Sequence, residues 1–200
     1  MKTMKIWSDQ PSDRQLDEIT RDLRAGQIMI WPTDTIYGIA CDALNPKAIE
    51  RICRIKGLNP EKNNLSIVCA DISQAAEYAR FDNRGYQMLR SNTPGPFTFL
   101  CRSISTLPRA FRGRKTVGIR IPACNTCTAI ARRLGNPVLT TSIEFEDEDC
   151  AIQPSLIAEA YCDRVDMFLE GENGGTEPST TIDCTGDELE IVRQGIGILQ

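Results

Sequence analysis

The sequence predicts an α/β fold in which helices flank a sheet of mixed strand directions. Short apolar runs typical of strands and longer amphipathic runs typical of helices both recur along the chain, but they do not alternate strictly. The chain has 200 residues, of which 41% are hydrophobic and 25% are charged, and this composition is that of an ordinary globular protein. We find no internal repeat or linker, so we expect one domain spanning residues 1–200.

Helices are predicted where apolar residues recur at helical spacing between recognisable end signals. The clearest has Asn45 as its N-cap, Pro46 at the first helical position and Gly57 after its end. Another begins at Ser12 or Asp13. Further helices are expected over residues 73–79, 83–91, 126–134 and 154–161.

Strands are predicted where short runs are rich in β-branched and aromatic residues between turn signals. The run over residues 27–31 is distinct because it stops at Pro32. The other strands are expected over residues 2–7, 65–70, 97–102, 116–121, 138–142, 165–169, 180–184 and 189–193.

The residue types exclude several classes of chemistry. The chain has no histidine, which removes Ser-His-Asp and Cys-His triads and histidine-liganded catalytic zinc. Its nine cysteines lie mostly in apolar stretches and favour reduced, buried thiols in a cytoplasmic protein. Cys124 and Cys127 form a lone Cys-x-x-Cys pair, for which we expect neither a metal nor a redox role. Without a long apolar run or a basic-then-apolar leader, no membrane span or secretion is expected.

The most informative segment follows the strand predicted over residues 27–31. After Pro32 come Thr33, Asp34 and Thr35, and Gly38 then lets the backbone turn. Hydroxyls and a carboxylate at the end of a strand are well placed to bind a small polar ligand. The alternative is a strand end with a threonine-rich turn.

This segment, Pro-Thr-Asp-Thr-Ile-Tyr-Gly, resembles the opening signature of the YrdC/YciO family, which typically reads Pro-Thr-[Asp/Glu]-Thr-x-Tyr-Gly. The resemblance extends from about Leu16 to Gly197 and is nearest to the YciO branch. It implies a twisted open sheet with flanking helices and a large concave cleft. Further matches follow in the family's order at residues 45–56, 94–98, 117–122, 139–142, 178–183 and 193–195.

The resemblance also implies an activity. Synthases of this family join threonine, bicarbonate and ATP, the last with Mg²⁺, into threonylcarbamoyl-adenylate for tRNA modification. This reaction requires two anions to be positioned and their charge neutralised, so it needs little acid–base help. Carried over residue by residue, the family's amino-acid site would comprise Thr33, Thr35, Arg120, Thr140 and Ser179. The nucleotide site would comprise Ser142, Arg193 and Lys56, of which Lys56 is also the expected catalytic residue.

Each of these residues also has a simpler interpretation. Arg120 is a strand arginine, and such a residue without a partner usually lies on a solvated face, although between apolar neighbours it more often has a specific anion. Arg193 could form an edge salt bridge with Glu190, worth under about 1 kcal/mol. Lys56 could be an ordinary charge at a helix end. Their joint occurrence in the family's order favours the site.

Two departures from the family's catalytic signature weaken the synthase interpretation. The Lys-x-Arg motif ends here in Leu58, and the Ser-x-Asn motif ends in Glu144. Leu58 removes a planar group that grips phosphate oxygens in pairs, and Glu144 adds a negative charge. We therefore expect synthase activity to be weak, altered or absent. The acidic stretch over residues 144–149 is expected to repel a nucleotide, to hold Mg²⁺ or simply to be solvated.

A concentrated basic stretch stands out in a protein of net charge -4. Family members look like RNA binders, so this stretch suggests local binding of double-stranded RNA or tRNA through phosphate and ribose contacts. A solvated loop is the alternative. The expected RNA-binding residues are Arg102, Arg109, Arg112, Arg114 and Lys115.

Three hypotheses of function follow. The first is a threonylcarbamoyl-AMP synthase-like enzyme, for which RNA binding is a compatible companion. The second is an RNA-binding paralogue without catalysis. The third is a carbamoyl-adenylate enzyme that uses another amine or carbamoyl phosphate. The sequence leaves the oligomeric state open.

Overall fold

The computed structural model describes residues 1–59, 65–104, 107, 115–186 and 188–200. Within them eleven strands form one mixed sheet with helices packed against it, which confirms the predicted fold class. The strands are β1 Lys2–Lys5, β2 Met29–Trp31, β3 Gly38–Asp42, β4 Ser66–Val68, β5 Ala79–Arg80, β6 Phe97–Ser103, β7 Thr116–Arg120, β8 Val138–Ser142, β9 Met167–Glu170, β10 Thr180–Asp183 and β11 Glu190–Arg193. The helices are α1 Asp13–Arg24, α2 Pro46–Ile55, α3 Ile72–Ala76, α4 Asn83–Asn92, α5 Asn125–Leu134, α6 Asp149–Ile152 and α7 Pro154–Tyr161.

The strands are ordered β1-β9-β2-β3-β8-β4-β7-β6-β10-β11, and β5 pairs with β6. Four neighbouring pairs are parallel, namely β1 with β9, β2 with β9, β4 with β7, and β6 with β10. The other pairs are antiparallel. Within the described residues, no helix has both the length and the hydropathy needed to cross a bilayer.

Local signals define the helix ends as predicted. The Ser12 hydroxyl accepts the Gln15 N–H, and the Gln15 side chain accepts the Ser12 N–H in return, which closes a capping box at the start of α1. At α2, Asn45 accepts the Ala48 N–H at 3.2 Å and Pro46 occupies the first turn. These interactions involve near neighbours, so the sequence suffices to predict them.

Three elements differ from the prediction. The strand β3 was not predicted, because all five of its residues are buried and it lacks an alternating pattern. The helix expected over residues 73–79 ends at Ala76, and Ala79 then starts β5. The short helix α6 was not predicted, and it begins at Asp149, the last residue of the stretch expected to be an acidic loop. Other strand boundaries differ by a few residues; β1, for example, ends before the exposed Trp7.

Apolar side chains form a layer on each face of the sheet. Successive residues of a strand point to opposite faces, so Ile28 and Ile30 join a cluster that contains side chains of α2 and α7. Met29 and Trp31 join a second cluster with side chains of α1 and α5. All nine cysteines are free thiols, and seven of them are buried, as the sequence predicted.

The second cluster, which contains Met29 and Trp31, covers only part of its face of the sheet. Its strand residues come from β1, β9, β2, β3, β8 and β4, which form one half of the strand order. Beyond β4 the same face of the sheet carries small and polar side chains, among them Gly118 on β7 and Thr98 on β6. The helices α1 and α5 do not cover these strands, and a hollow remains on this face.

Candidate functional site

A polar cavity of about 210 Å³ lies on this uncovered face of the sheet. Its side chains come from six strands that are consecutive in the sheet, β8, β4, β7, β6, β10 and β11. Adjacent strands hold the polar groups of the cavity at fixed spacing, and this rigidity suits a binding site. The residues that line the cavity are Ser66, Thr98, Leu100, Arg120, Thr140, Thr141, Ser142, Ser179, Thr181 and Arg193.

Five of the eight predicted substrate and nucleotide residues therefore meet in one cavity. Their distances along the chain are large, but the register of the sheet brings them together. Ser66 pairs with Thr140 across β4 and β8, and Thr181 pairs with Arg193 across β10 and β11. The five predicted residues are Arg120, Thr140, Ser142, Ser179 and Arg193.

Arg120 and Arg193 make the cavity positive. The guanidinium of Arg193 is anchored by the Ser179 carbonyl, which accepts its Nε–H at 3.2 Å and its Nη2–H at 2.9 Å. Burial lowers the pKa of Arg193, and the nearby charge of Arg120 lowers it further. The two cations line the same cavity, so their charges repel each other. A bound anion would relieve this repulsion.

The salt bridge with Glu190 that the sequence left open for Arg193 is not among the ion pairs of the described residues. Instead Arg193, an exposed residue, lines the cavity and donates hydrogen bonds to Ser179. It therefore contributes to the cavity rather than to the edge of the sheet.

The polar segment after β2 holds Arg120 in place. Asp34 Oδ1 accepts an Arg120 Nη2–H at 2.8 Å, and both side chains are less than 10% exposed. Asp34 Oδ2 accepts the Ala123 N–H at 2.9 Å, and the buried Thr35 hydroxyl lies 3.1 Å from Arg120 Nη2. Within the described residues, the buried Nε–H of Arg120 has no hydrogen-bond partner. Leaving such a donor unpaired costs roughly 1–3 kcal/mol, which a ligand oxygen would recover.

Hydroxyl groups line the rest of the cavity. The Thr98 and Ser179 hydroxyls are 2.8 Å apart, and Thr140 Oγ1 accepts the Trp31 indole N–H at 3.1 Å. The sheet leaves room for these groups because glycines sit beside them. A Cβ on Gly118 would lie 2.5 Å from Ser66 Oγ, and one on Gly38 would lie 2.6 Å from Thr140 Oγ1.

Thr33 and Thr35 lie behind Arg120 rather than among the residues that line the cavity. The Thr33 hydroxyl lies 3.1 Å from the Thr35 hydroxyl and donates to the Ile36 carbonyl at 2.8 Å. Thr33 also lines a separate cavity of about 190 Å³. Thr35 thus contacts Arg120 directly and Thr33 contacts Thr35, while the predicted direct contact of both with a substrate remains a prediction.

Lys56 has a partner that the sequence analysis did not identify. Its Nζ lies 2.8 Å from Glu144 Oε1, and the Lys56 side chain is only 9% exposed whereas that of Glu144 is 70% exposed. Glu144 follows the cavity residue Ser142 by two positions. Leu58, the other departure from the family's signature, packs against the hydrophobic core.

The rest of the acidic stretch is partly structural. Asp147 accepts the Cys150 N–H at 3.0 Å, and this hydrogen bond lowers the pKa of the Asp147 carboxyl. Asp147 therefore stabilises the start of α6, a role the sequence did not predict.

The basic stretch is described only in part. Arg102 and Lys115 are exposed, and the Ser103 N–H donates to the Lys115 carbonyl across β6 and the chain before β7. Arg109, Arg112 and Arg114 lie outside the described residues. The predicted RNA-binding residues therefore do not share the cavity of Arg120, as far as the structure describes them.

The largest of the described cavities is a different one. A groove of about 600 Å³ runs along residues 70–73, 93–94 and 121–125 and includes Thr128 and Arg132 of α5. Its walls are mostly apolar, and none of the predicted site residues lines it. Because chemistry requires converging polar groups, we take the smaller cavity as the candidate site.

Sequence reasoning expected the Asp34 carboxylate to bind a ligand, whereas in the structure it holds Arg120. Sequence reasoning missed Ser66, Thr98 and Thr181, which also line the cavity. Their signal was weak because each is a single small hydroxyl residue in a predicted strand. Asp34 stood in the threonine-rich segment, but no local pattern indicated its distant partner.

Two guanidinium groups among hydroxyls are hydrogen-bond donors of the kind that suit a small anion. The chain belongs to the Sua5/YciO/YrdC family, whose model, described as "Telomere recombination", matches residues 21–195. It is 34% identical to the uncharacterized protein YciO of Escherichia coli K12 over 199 residues, which covers 96% of this chain and 94% of that protein.

Structural similarity agrees with the sequence match. The crystal structure of E. coli YciO has a TM-score of 0.91 and 33% identity, and covers 99% of this chain and 98% of that chain. The threonylcarbamoyl-AMP synthase of Halorhodospira halophila is 28% identical over 163 residues, covering 80% of this chain and 85% of that protein. Sua5 of P. abyssi, crystallised with L-threonine, has a TM-score of 0.87 at 23% identity over 98% of this chain and 58% of that chain, and shows the shared fold alone.

Proposed function

We propose that the cavity binds the carboxylate of a small hydroxylated amino acid, with threonine as the default, and that the protein is a threonylcarbamoyl-AMP synthase-like enzyme. The observation that carries this proposal is the convergence of Arg120 and Arg193 on one hydroxyl-lined cavity. Threonine combines a carboxylate with a hydroxyl, and the cavity offers a partner for each. The name of the Halorhodospira relative supports the same class of reaction.

In the proposed reaction a carbamate oxygen derived from threonine and bicarbonate attacks the α-phosphorus of ATP, and pyrophosphate leaves. The protein would contribute position and charge rather than a proton carrier. Arg120 would hold the amino-acid carboxylate, and Thr140 and Ser179 its polar atoms. Ser142, Arg193 and Lys56 would face the phosphates, with Mg²⁺ entering as part of the nucleotide substrate.

The test is pyrophosphate release in the presence of Mg²⁺, ATP, bicarbonate and threonine. We expect release to require both threonine and bicarbonate and to be lost in Lys56→Ala. Lys47→Ala is the matched control, because Lys47 is an exposed lysine of the same helix, and it should leave the rate unchanged. Replacement of threonine by other amines or by carbamoyl phosphate distinguishes a related enzyme with a different substrate. No pyrophosphate with any of these would remove the proposal of an enzyme.

Binding of double-stranded RNA or tRNA is a second proposed function, and one arrangement of charges favours it. Arg80 pairs in register with Arg102 across β5 and β6, and Lys115 lies beside Ser103 of β6. All three cations are exposed at the same end of adjacent strands. A cluster of cations on an acidic protein is a local site for phosphate groups.

RNA binding of this kind should weaken steeply as salt rises, because phosphate contacts release counterions. Reversal of charge at Arg112 and Arg114 should weaken it, whereas Lys56→Ala should not. Affinity for an RNA duplex that does not change with salt would contradict this second function and leave the enzymatic proposal intact.

A further inference from the structure

The two side chains of the ion pair between Lys56 and Glu144 differ greatly in solvent exposure. The other lysines in ion pairs of the described residues, Lys2 and Lys5, are 39% and 48% exposed, whereas Lys56 is 9% exposed. Its partner Glu144 is 70% exposed. An exposed carboxylate thus covers an almost buried ammonium group from the solvent side.

Hydrogen bonds hold the main chain in place at both residues of this pair, Lys56 and Glu144. The Glu144 N–H donates to the Tyr161 hydroxyl at 2.9 Å, and that hydroxyl lies 3.2 Å from the Glu144 carbonyl oxygen, to which it donates. The preceding Ile143 N–H donates to the Tyr37 carbonyl at 2.9 Å. The Lys56 N–H donates to the Ile52 carbonyl at the end of α2. The Glu144 side chain is therefore free to leave Lys56 by rotation alone, without movement of the main chain.

The three cations that the proposed function assigns to its ligands, of which Arg120 and Arg193 line the cavity and Lys56 does not, are already largely matched. Arg120 is paired with Asp34 and Lys56 with Glu144, whereas Arg193 is held only by an uncharged carbonyl and a hydroxyl. The three cations and two carboxylates leave one positive charge unmatched. A ligand with one negative group fits this balance, and a polyphosphate does not unless a carboxylate withdraws.

We infer that Glu144 is a specificity-determining residue, which occupies Lys56 as an internal counter-ion and thereby disfavours polyphosphate while leaving the amino-acid carboxylate site unaffected. The inference rests on the proposed function, since that function assigns the phosphates to Lys56. Polyphosphate binds at Lys56 only after the Glu144 side chain rotates away. Loss of the carboxylate removes both the competition for Lys56 and the repulsion of phosphate.

Inorganic tripolyphosphate is the probe that tests this directly, because it carries the charge of the nucleotide chain without adenine or chemistry. Its affinity is measured by titration calorimetry on the full chain. We expect Glu144→Gln to tighten binding about tenfold, the usual scale for a contact with a charged group. Glu146→Gln is the matched control: it removes the same charge from the same exposed stretch, but no ion pair in the described residues involves Glu146.

A double substitution isolates the role of Lys56. Lys56→Met should change tripolyphosphate affinity by less than about twofold when Glu144 is present, because the ammonium is already occupied. In the Glu144→Gln background the same change should abolish the tenfold gain. Threonine affinity should be the same in all these variants, and unfolding midpoints confirm that each one folds.

Two results would overturn the inference. One is an equal gain in affinity from Glu144→Gln and Glu146→Gln, since that would be a general charge effect. The other is no gain from Glu144→Gln, or a gain that survives Lys56→Met. Failure of the proposed function is a separate result: pyrophosphate release would be absent while the pattern of tripolyphosphate affinities remained.

Discussion

The substitution Asp34→Asn tests how the site is held together. The Asp34 carboxylate accepts two N–H groups, one from Arg120 at 2.8 Å and one from Ala123 at 2.9 Å. Both side chains of the ion pair are almost buried, at 8% and 9% exposed. An asparagine has almost the same shape but is neutral, and it presents only one oxygen to these two donors.

The expected cost follows from this geometry. Removing one partner from a buried ion pair costs about 3–5 kcal/mol because the other charge is left uncompensated. One hydrogen bond to the asparagine oxygen would remain, so we expect a loss of roughly 2–4 kcal/mol in the free energy of unfolding. For a chain of this length that corresponds to a fall in Tm of roughly 5–15 °C.

Urea unfolding of the variant at pH 7 measures this loss. Asp13→Asn is the matched control, because Asp13 also accepts an arginine N–H at 2.9 Å, from Arg133, but is 89% exposed. Exposed pairs contribute about 1 kcal/mol or less. If Asp34→Asn cost no more than Asp13→Asn, then the Asp34 carboxylate would not be what holds Arg120, and the description of the site would be wrong.

Three further predictions concern other parts of the chain. Burial raises the pKa of Asp166, but hydrogen bonds from Arg51 and a backbone N–H outweigh it, and the pKa lies below its ordinary value of 3.8. The stabilisation is therefore complete well above pH 3.8 and is lost as pH falls through the lower folded-state pKa, so Asp166→Asn should flatten this part of the profile of stability against pH. Gly195→Ala would place a Cβ 2.1 Å from the Pro178 carbonyl oxygen, and we expect a loss of more than about 2 kcal/mol by thermal unfolding. Burial raises the pKa of Tyr37 to about 12 and also raises the pKa of Tyr78 and of Tyr161, so ultraviolet titration should show a step near pH 12 that Tyr37→Phe removes.

For each of these three predictions, one result would contradict the reasoning. If Asp166→Asn left the loss of stability at low pH unchanged, the ion pair between Arg51 and Asp166 would not contribute to stability. Gly186→Ala is the control for Gly195→Ala, since its Cβ would meet no atom closer than 3.5 Å, and equal losses would rule out the proposed clash. A Tyr37 phenol that titrates near pH 10 would place that side chain in contact with water.

The sequence predicted most reliably what neighbouring residues decide. The caps of α1 and α2 were read correctly because Ser12 and Asn45 act on N–H groups three residues away. Strand β3 was missed for the opposite reason. It is buried by helices on both faces and by strands at both edges, so its residues show no alternation that a local pattern could reveal.

The same contrast between local and distant signals applies to the candidate site. Five of its ten lining residues were expected from ordered motifs, and the sheet brings them together. The charge partners were not predicted, because Asp34 and Arg120 are 86 residues apart and no local signal joins them. Glu144 was recognised as a departure from the family's signature, but only the structure showed that its carboxylate contacts Lys56.

The most direct test of the central claim is a crystal structure of the protein soaked with threonine, Mg²⁺ and ATP. We predict electron density for threonine in the hydroxyl-lined cavity, with its carboxylate within about 3 Å of the Arg120 guanidinium. Threonine bound instead in the apolar groove beside Arg132, or an unchanged cavity at saturating threonine, would contradict the account.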